Sequence, residues 1–96
     1  MSFRFSWDEN KAAANFIKHR VSFDEASTVF DDPLAFIFAD ETHSHDERRE
    51  IIIGHSLNQR LLLVSFTERP NEIIRIITAR LATKKERRNY EKNAIA

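Results

Sequence analysis

The sequence predicts an α+β fold: two N-terminal helices, a four-stranded, mainly antiparallel sheet and a basic C-terminal helix. Three observations predict it. Apolar runs at about residues 49–56, 60–68 and 73–79 are separated by the turn-forming pairs Asn58-Gln59 and Pro70-Asn71, the pattern of a meander. Ser22/Glu25 and Thr83/Glu86 both match S/T-x-x-E, the reciprocal cap that opens a helix. Ninety-six residues with 42% hydrophobic content supply one modest core and not two, so residues 1–96 read as a single domain.

Phe3 and Phe5 alternate with polar neighbours and suggest a short extended entry. Asp8 suits the N-cap of a helix over about residues 9–19, with Ala13, Phe16 and Ile17 on its inward stripe. A second helix opens near residue 23, with Val21 and Ala26 forming a modest hydrophobic staple. Asp31-Asp32-Pro33 stops it, because proline disfavours helical geometry in the residue before it. Leu34 to Phe38 reads as the first strand, and residues 39–48 as a polar connection. The last helix spans about residues 84–93.

Two-residue turns between the last three strands would set Ile53 opposite Val64, Arg49 opposite Glu68, Phe66 opposite Arg75 and Leu63 opposite Thr78. Alternation then places Arg49, Ile51, Ile53, His55, Val64, Phe66, Glu68, Arg75 and Ile77 on one face. Ile52, Gly54, Leu63, Ser65, Thr67, Ile74, Ile76, Thr78 and Arg80 take the other. A slip of one residue would exchange the faces of a whole strand. Both faces are largely apolar, more than three helices can cover, and the remainder is a candidate surface for a partner protein.

Composition narrows the function. There is no cysteine, which excludes disulfides and thiolate metal sites, and Gly54 is the only glycine, which excludes glycine-rich phosphate loops. The polar first residues do not resemble a signal peptide and no apolar run reaches membrane-spanning length, so a cytoplasmic location is expected. Net charge is zero, but residues 1–50 carry 6 Lys/Arg against 11 Asp/Glu and residues 51–96 carry 9 against 4. That asymmetry suits a basic face for a polyanion; it also suits two ordinary solvated surfaces that cancel.

Arg49, Glu68 and Arg75 form the expected catalytic cluster. Two guanidinium groups around a carboxylate can neutralise a phosphate and offer a general base; a cross-strand salt bridge contributing about 0.2–1 kcal/mol is the plainer account. RNA carries its own nucleophile, the 2′-hydroxyl, so such a site requires no metal or cofactor. Arg80 and Arg69 would position the backbone, with Thr78, Lys84, Lys85, Arg87 and Arg88 adding RNA-binding surface. Tyr90 could donate a proton, stack on a base or anchor the last helix on the sheet. His43 is a candidate acid or phosphate contact, and His43-Ser44-His45 has no further ligand that would make it a zinc site. Trp7 more readily pins the first helix than serves as a base platform.

These residues carry a family pattern. F-x-W-D-x-x-K-A-A-A-N runs from Phe5 to Asn15, K-H-x-V-S-F-x-E-A from Lys18 to Ala26, and F-D-D-P from Phe30 to Pro33. D-x-x-H-S covers Asp40 to Ser44, an arginine-led strand ending I-G covers Arg49 to Gly54, and T-E-R covers Thr67 to Arg69. I-R-I-I-T-A-R-x-A-T-x-x-E-R-x-x-Y closes the set from Ile74 to Tyr90. The chain resembles the BrnT family, ribonuclease toxins of bacterial type II toxin–antitoxin systems with a RelE-like fold.

The resemblance implies a metal-independent endoribonuclease that inhibits translation. It also implies a BrnA-type ribbon-helix-helix antitoxin, through which alone the toxin would reach operator DNA. The 2′-hydroxyl would attack the adjacent phosphate, with Glu68 as base and Tyr90 or His43 as acid. A non-catalytic module binding nucleic acid and protein is the alternative. Two positions depart from the family: Arg20 and Pro70-Asn71 stand where glycine is common. A left-handed Arg20 would cost roughly 1 kcal/mol.

Overall fold

The computed structural model describes residues 3–43, 45 and 47–95; Ser44 of the D-x-x-H-S match lies outside the described residues. Five strands form one sheet in the order β1-β5-β4-β3-β2. They are β1 Arg4–Ser6, β2 Phe36–Ala39, β3 Glu50–His55, β4 Leu61–Arg69 and β5 Ile73–Leu81. The helices are α1 Glu9–His19, α2 Phe23–Ser27 and α3 Lys84–Ile95, with 3₁₀ turns at Thr28–Asp31 and Glu41–His43.

The expected four-stranded sheet therefore gains a fifth strand. The entry segment pairs in parallel with β5, Phe5 beside Ile74, and covers an edge that would otherwise expose unpaired backbone groups. Three residues are too few to show a period of two, so the sequence signals only an extended segment.

The register also differs from the two-residue-turn geometry. His55 pairs with Leu61 and Ile53 with Leu63, one residue away from the expected partner. The Gln59 N–H donates to Ser56 O, and the Ser56 N–H donates to Arg60 O. Gln59 has φ 63°, so the loop is a three-residue turn closed by a left-handed residue. At the next hairpin Arg69 pairs with Ile73, and Asn71 and Glu72 both take positive φ. A bulge then moves β5 one further residue, so that Phe66 faces Ile76 while Ser65 faces Thr78.

One face of the sheet consequently carries Ile52, Leu62, Val64, Phe66, Ile74, Ile76 and Ala79. These pack against Val21, Phe23, Ala26 and Val29 from α2 and its flanks. The opposite face carries Ile51, Ile53, Leu61 and Leu63, covered in part by Tyr90 of α3. Trp7 packs edge-on against Phe23 with ring centroids 5.9 Å apart, the pinning role rather than an exposed platform.

The caps form as the sequence requires. The Asp8 carboxylate accepts the Asn10 and Lys11 N–H groups at 2.8 and 3.1 Å, and Ser22 Oγ accepts the Glu25 N–H at 3.0 Å. Thr83 and Glu86 make both bonds of the capping box, at 3.2 and 2.8 Å. The inward stripe of α1 is different from the expected one: Ala13, Phe16 and Ile17 are exposed, whereas Asn15 is buried and Ala12 packs on the core. A buried polar group must be fully satisfied, and Asn15 is. Its amide donates to Val21 O and Ala79 O, and its carbonyl accepts the Ala79 N–H. That clip sets the rotation of α1 against β5. Glu25, also buried, accepts from Arg60 and Ser56 and ties α2 to the β3–β4 hairpin.

Arg20 terminates α1 with φ 58° and ψ 33°, the left-handed conformation that the family pattern anticipates for glycine. Replacing Asn15 with Ala should lower unfolding free energy by about 2 kcal/mol, since Ala79 N–H and two carbonyls lose their partner. Arg20→Gly should raise it by up to about 1 kcal/mol by relieving the left-handed strain. Urea titration of both variants checks the two signs together.

Candidate active site

Residues 40–43, after β2, and Arg49, before β3, lie over the apolar face that α3 leaves uncovered. Between loop and sheet lies a cleft of about 310 Å³ lined by Asp40, Thr42, His43, Arg49, Ser65, Thr78 and Arg80, with Ile51, Leu63 and Ile77 as its apolar floor. It brings together four residues singled out from the sequence: His43, Arg49, Thr78 and Arg80. Thr78 is exposed and pairs with Ser65 across the bulge, so the extra residue in β5 aims it into the cleft.

Asp40 and His43 form the chemical centre. The 3₁₀ turn at Glu41–His43 brings the imidazole back over residue 40, and His43 Nδ1 lies 3.1 Å from Asp40 Oδ2 and 3.3 Å from Oδ1. The carboxylate is largely shielded (11% exposed) while the imidazole is open to solvent (63%). A carboxylate on Nδ1 favours the tautomer that donates from that nitrogen and leaves Nε2 as the outward base. The sequence reading gave Asp40 no role, although D-x-x-H is the spacing that one helical turn would join.

Arg80 is held by Glu86: Nη1 and Nη2 donate to the two carboxylate oxygens at 2.9 and 3.0 Å. This bidentate contact lowers the Glu86 carboxyl to about 2, with the Thr83 N–H contributing, and raises the Arg80 guanidinium. Lys84, Lys85, Arg87 and Arg88 are exposed on α3 beyond that pair.

The other expected residues lie elsewhere. Glu68 sits beside Glu50, and their contact, with burial, pushes the Glu50 carboxyl up. Glu68 and Arg69 line a separate shallow cleft with Glu50, and Arg69 pairs with Glu47 at 3.1 Å. Arg75 is half-buried between Thr67 of β4 and Ser6 of β1. The register puts Thr67, not Phe66, across from Arg75 and Glu68 beside Ile74, which turns Glu68 to the other face, so the expected Arg49–Glu68–Arg75 cluster is not assembled.

Tyr90 is buried at the opposite end of the α3 contact. Its hydroxyl donates to Asp32 Oδ2 at 2.7 Å, His55 Nδ1 lies 3.2 Å away, and its ring stacks on Phe36. Burial, then the bond and charge of Asp32, pushes the phenol up to about 12. No group of three or more His, Cys, Asp or Glu suited to a metal ion occurs among the described residues. No helix among them is long and apolar enough to cross a membrane.

Fold and cleft together define a small α+β protein with a basic, histidine-containing site. Residues 7–86 match the family model described as the ribonuclease toxin BrnT of type II toxin–antitoxin systems, and the chain belongs to that family. The structure is similar to the crystal structure of the Brucella abortus ribonuclease toxin BrnT, with a TM-score of 0.67. The likeness covers 86% of this chain and 100% of that one at 22% sequence identity, a likeness of fold. No curated protein matches the chain.

Tyr90→Phe should lower stability by about 1.5–3 kcal/mol at pH 8, since a bond to a charged acceptor is lost. Because the folded-state value is raised from 10.0 to about 12, this contribution is complete below pH 10 and disappears as pH rises through 12. Melting curves of wild type and variant should therefore converge over that window.

Proposed function

We propose that the chain is a metal-independent endoribonuclease toxin of RelE-like type, with its active site in the cleft between the 40–49 loop and the sheet. The observation that carries this reading is the Asp40–His43 pair in the same cleft as Arg49 and Arg80. His43 Nε2 takes the proton of an RNA 2′-hydroxyl as its oxygen bonds to the adjacent phosphorus. The bond from phosphorus to the 5′-oxygen breaks, leaving a cyclic phosphate, and the departing oxygen takes a proton from the solvent that fills the open cleft. Arg49 and Arg80 neutralise the charge that accumulates on the phosphate oxygens. Asp40 holds the imidazole in place through Nδ1. Lys84, Lys85, Arg87 and Arg88 of α3 guide the backbone of the strand.

Glu68, Arg75 and Tyr90 have no direct part in this chemistry. The toxin acts in the cytoplasm, where its cutting of RNA inhibits translation. It is neutralised there by a BrnA-type ribbon-helix-helix antitoxin that alone carries it to operator DNA.

Cleavage of a defined RNA in EDTA tests the reading. His43→Ala should reduce the rate by about 10²–10⁴-fold, the usual worth of general acid–base catalysis. Asp40→Asn should cost less, and Glu68→Gln should leave the rate near wild type. Full activity in a folded His43→Ala protein would sink the assignment. RNA that binds with steep salt dependence but is never cut would point to a binding module instead.

A further inference from the structure

A second concavity lies on the same sheet face, between the outer strand β2 and α3. It encloses about 510 Å³ over a floor of Phe36, Phe38, Ile53 and Leu63, with Asn89 and Lys92 in its wall. We propose that this groove is the docking site for an acidic, amphipathic segment of the antitoxin; the proposal rests on the toxin–antitoxin reading above.

Four observations converge on that occupant. The floor is apolar, and Phe38 remains 42% exposed at its mouth. One exposed ring is ordinary, but Phe38 is continuous with Phe36, Ile53 and Leu63, and a contiguous apolar patch marks an interaction surface. Among the described residues the strand forming the rim, β2, pairs only with β3, so its outer backbone can accept a further strand.

The wall is basic. Residues 84–92 hold Lys84, Lys85, Arg87, Arg88 and Lys92 against Glu86 and Glu91, and Glu86 is already engaged by Arg80. Carboxylates flanking apolar side chains would satisfy wall and floor together. A second copy of this chain fits poorly, because a two-fold contact through the groove would set one basic helix against the other.

The groove also adjoins the cleft. Leu63 lines both, and Glu86 reaches from the groove wall to Arg80 in the cleft. A segment lying in the groove thus ends one side chain away from the proposed phosphate site, where it can block access without imitating RNA.

The test measures affinity between the full-length chain and its full-length cognate antitoxin, produced together and then separated. Phe38→Glu should weaken binding at least about tenfold, as loss of an apolar anchor does. Lys92→Glu, on an exposed helix position, should weaken it about threefold or more, with a shallower salt dependence. Ile17→Glu, which alters an exposed apolar residue of α1, should bind as wild type. RNA cleavage by the free toxin should be unchanged in all three. Wild-type affinity in both groove variants would overturn the location while leaving the toxin reading intact. A wild-type chain that does not bind the antitoxin at all would overturn the reading itself. Self-association abolished by Phe38→Glu would assign the groove to a second copy and overturn the proposal.

Discussion

The Asp32 carboxylate is the point on which the two sides of the sheet depend. Its Oδ1 accepts the Leu34 N–H at 2.9 Å, while Oδ2 accepts the His55 N–H and the Tyr90 hydroxyl, each at 2.7 Å. One side chain thus joins the turn that leaves the helical layer, the end of β3 and the helix on the opposite face. Burial alone would raise its pKa; the three donors outweigh that and hold it below the ordinary carboxylate value. The same crowding explains Gly54. A Cβ there would lie 2.7 Å from Ala35 Cβ and 3.0 Å from Asp32 Oδ2, so the approach requires a residue without a side chain. F-D-D-P, the terminal I-G of β3 and the tyrosine of α3 are distant in sequence but meet at this carboxylate.

Elements were legible where the physics is local. Caps at Asp8, Ser22 and Thr83 depend on side chains two or three residues from their targets, and all three form. Register was not legible, because it depends on turn lengths that glycine normally advertises. This chain has one glycine, and Arg20, Gln59, Asn71 and Glu72 take left-handed conformations in its place. Nothing in the sequence separates a two-residue loop at Asn58-Gln59 from the three-residue loop that forms. The bulge in β5 compounds the shift, so individual strands, not the whole sheet, exchanged faces. Rotation of α1 was missed for a related reason: hydrophobic periodicity ranks Phe16 and Ile17 above an amide, and the satisfied Asn15 prevails.

The candidate site divides along the same line. His43, Arg49, Thr78 and Arg80 reach one cleft, although Arg49 and Arg80 had been assigned to opposite faces. Glu68 and Arg75 failed to join them because the β4–β5 hairpin sets Thr67, not Phe66, opposite Arg75 and so parts Glu68 from Arg75 onto different faces. Tyr90 had three readings, and its buried hydroxyl and stacked ring make it the anchor of α3. Asp40 was visible only as a motif letter. Its value emerges once the 3₁₀ turn lays His43 across it.

The Arg80–Glu86 pair links these parts into one assembly. Both carboxylate oxygens of Glu86 occupy the guanidinium fork, the arrangement a phosphate diester would also adopt. The same Glu86 accepts the Thr83 N–H and so closes the first turn of α3. A phosphate that took the fork would therefore release a cap as well as an ion pair, loosening the end of α3 nearest the cleft. Tyr90 fixes the helix farther along, through its bond to Asp32. The helix is thus tied firmly at one position and exchangeably at the other. Because α3 is also the wall of the apolar groove, the groove and the cleft are built against the same two attachments.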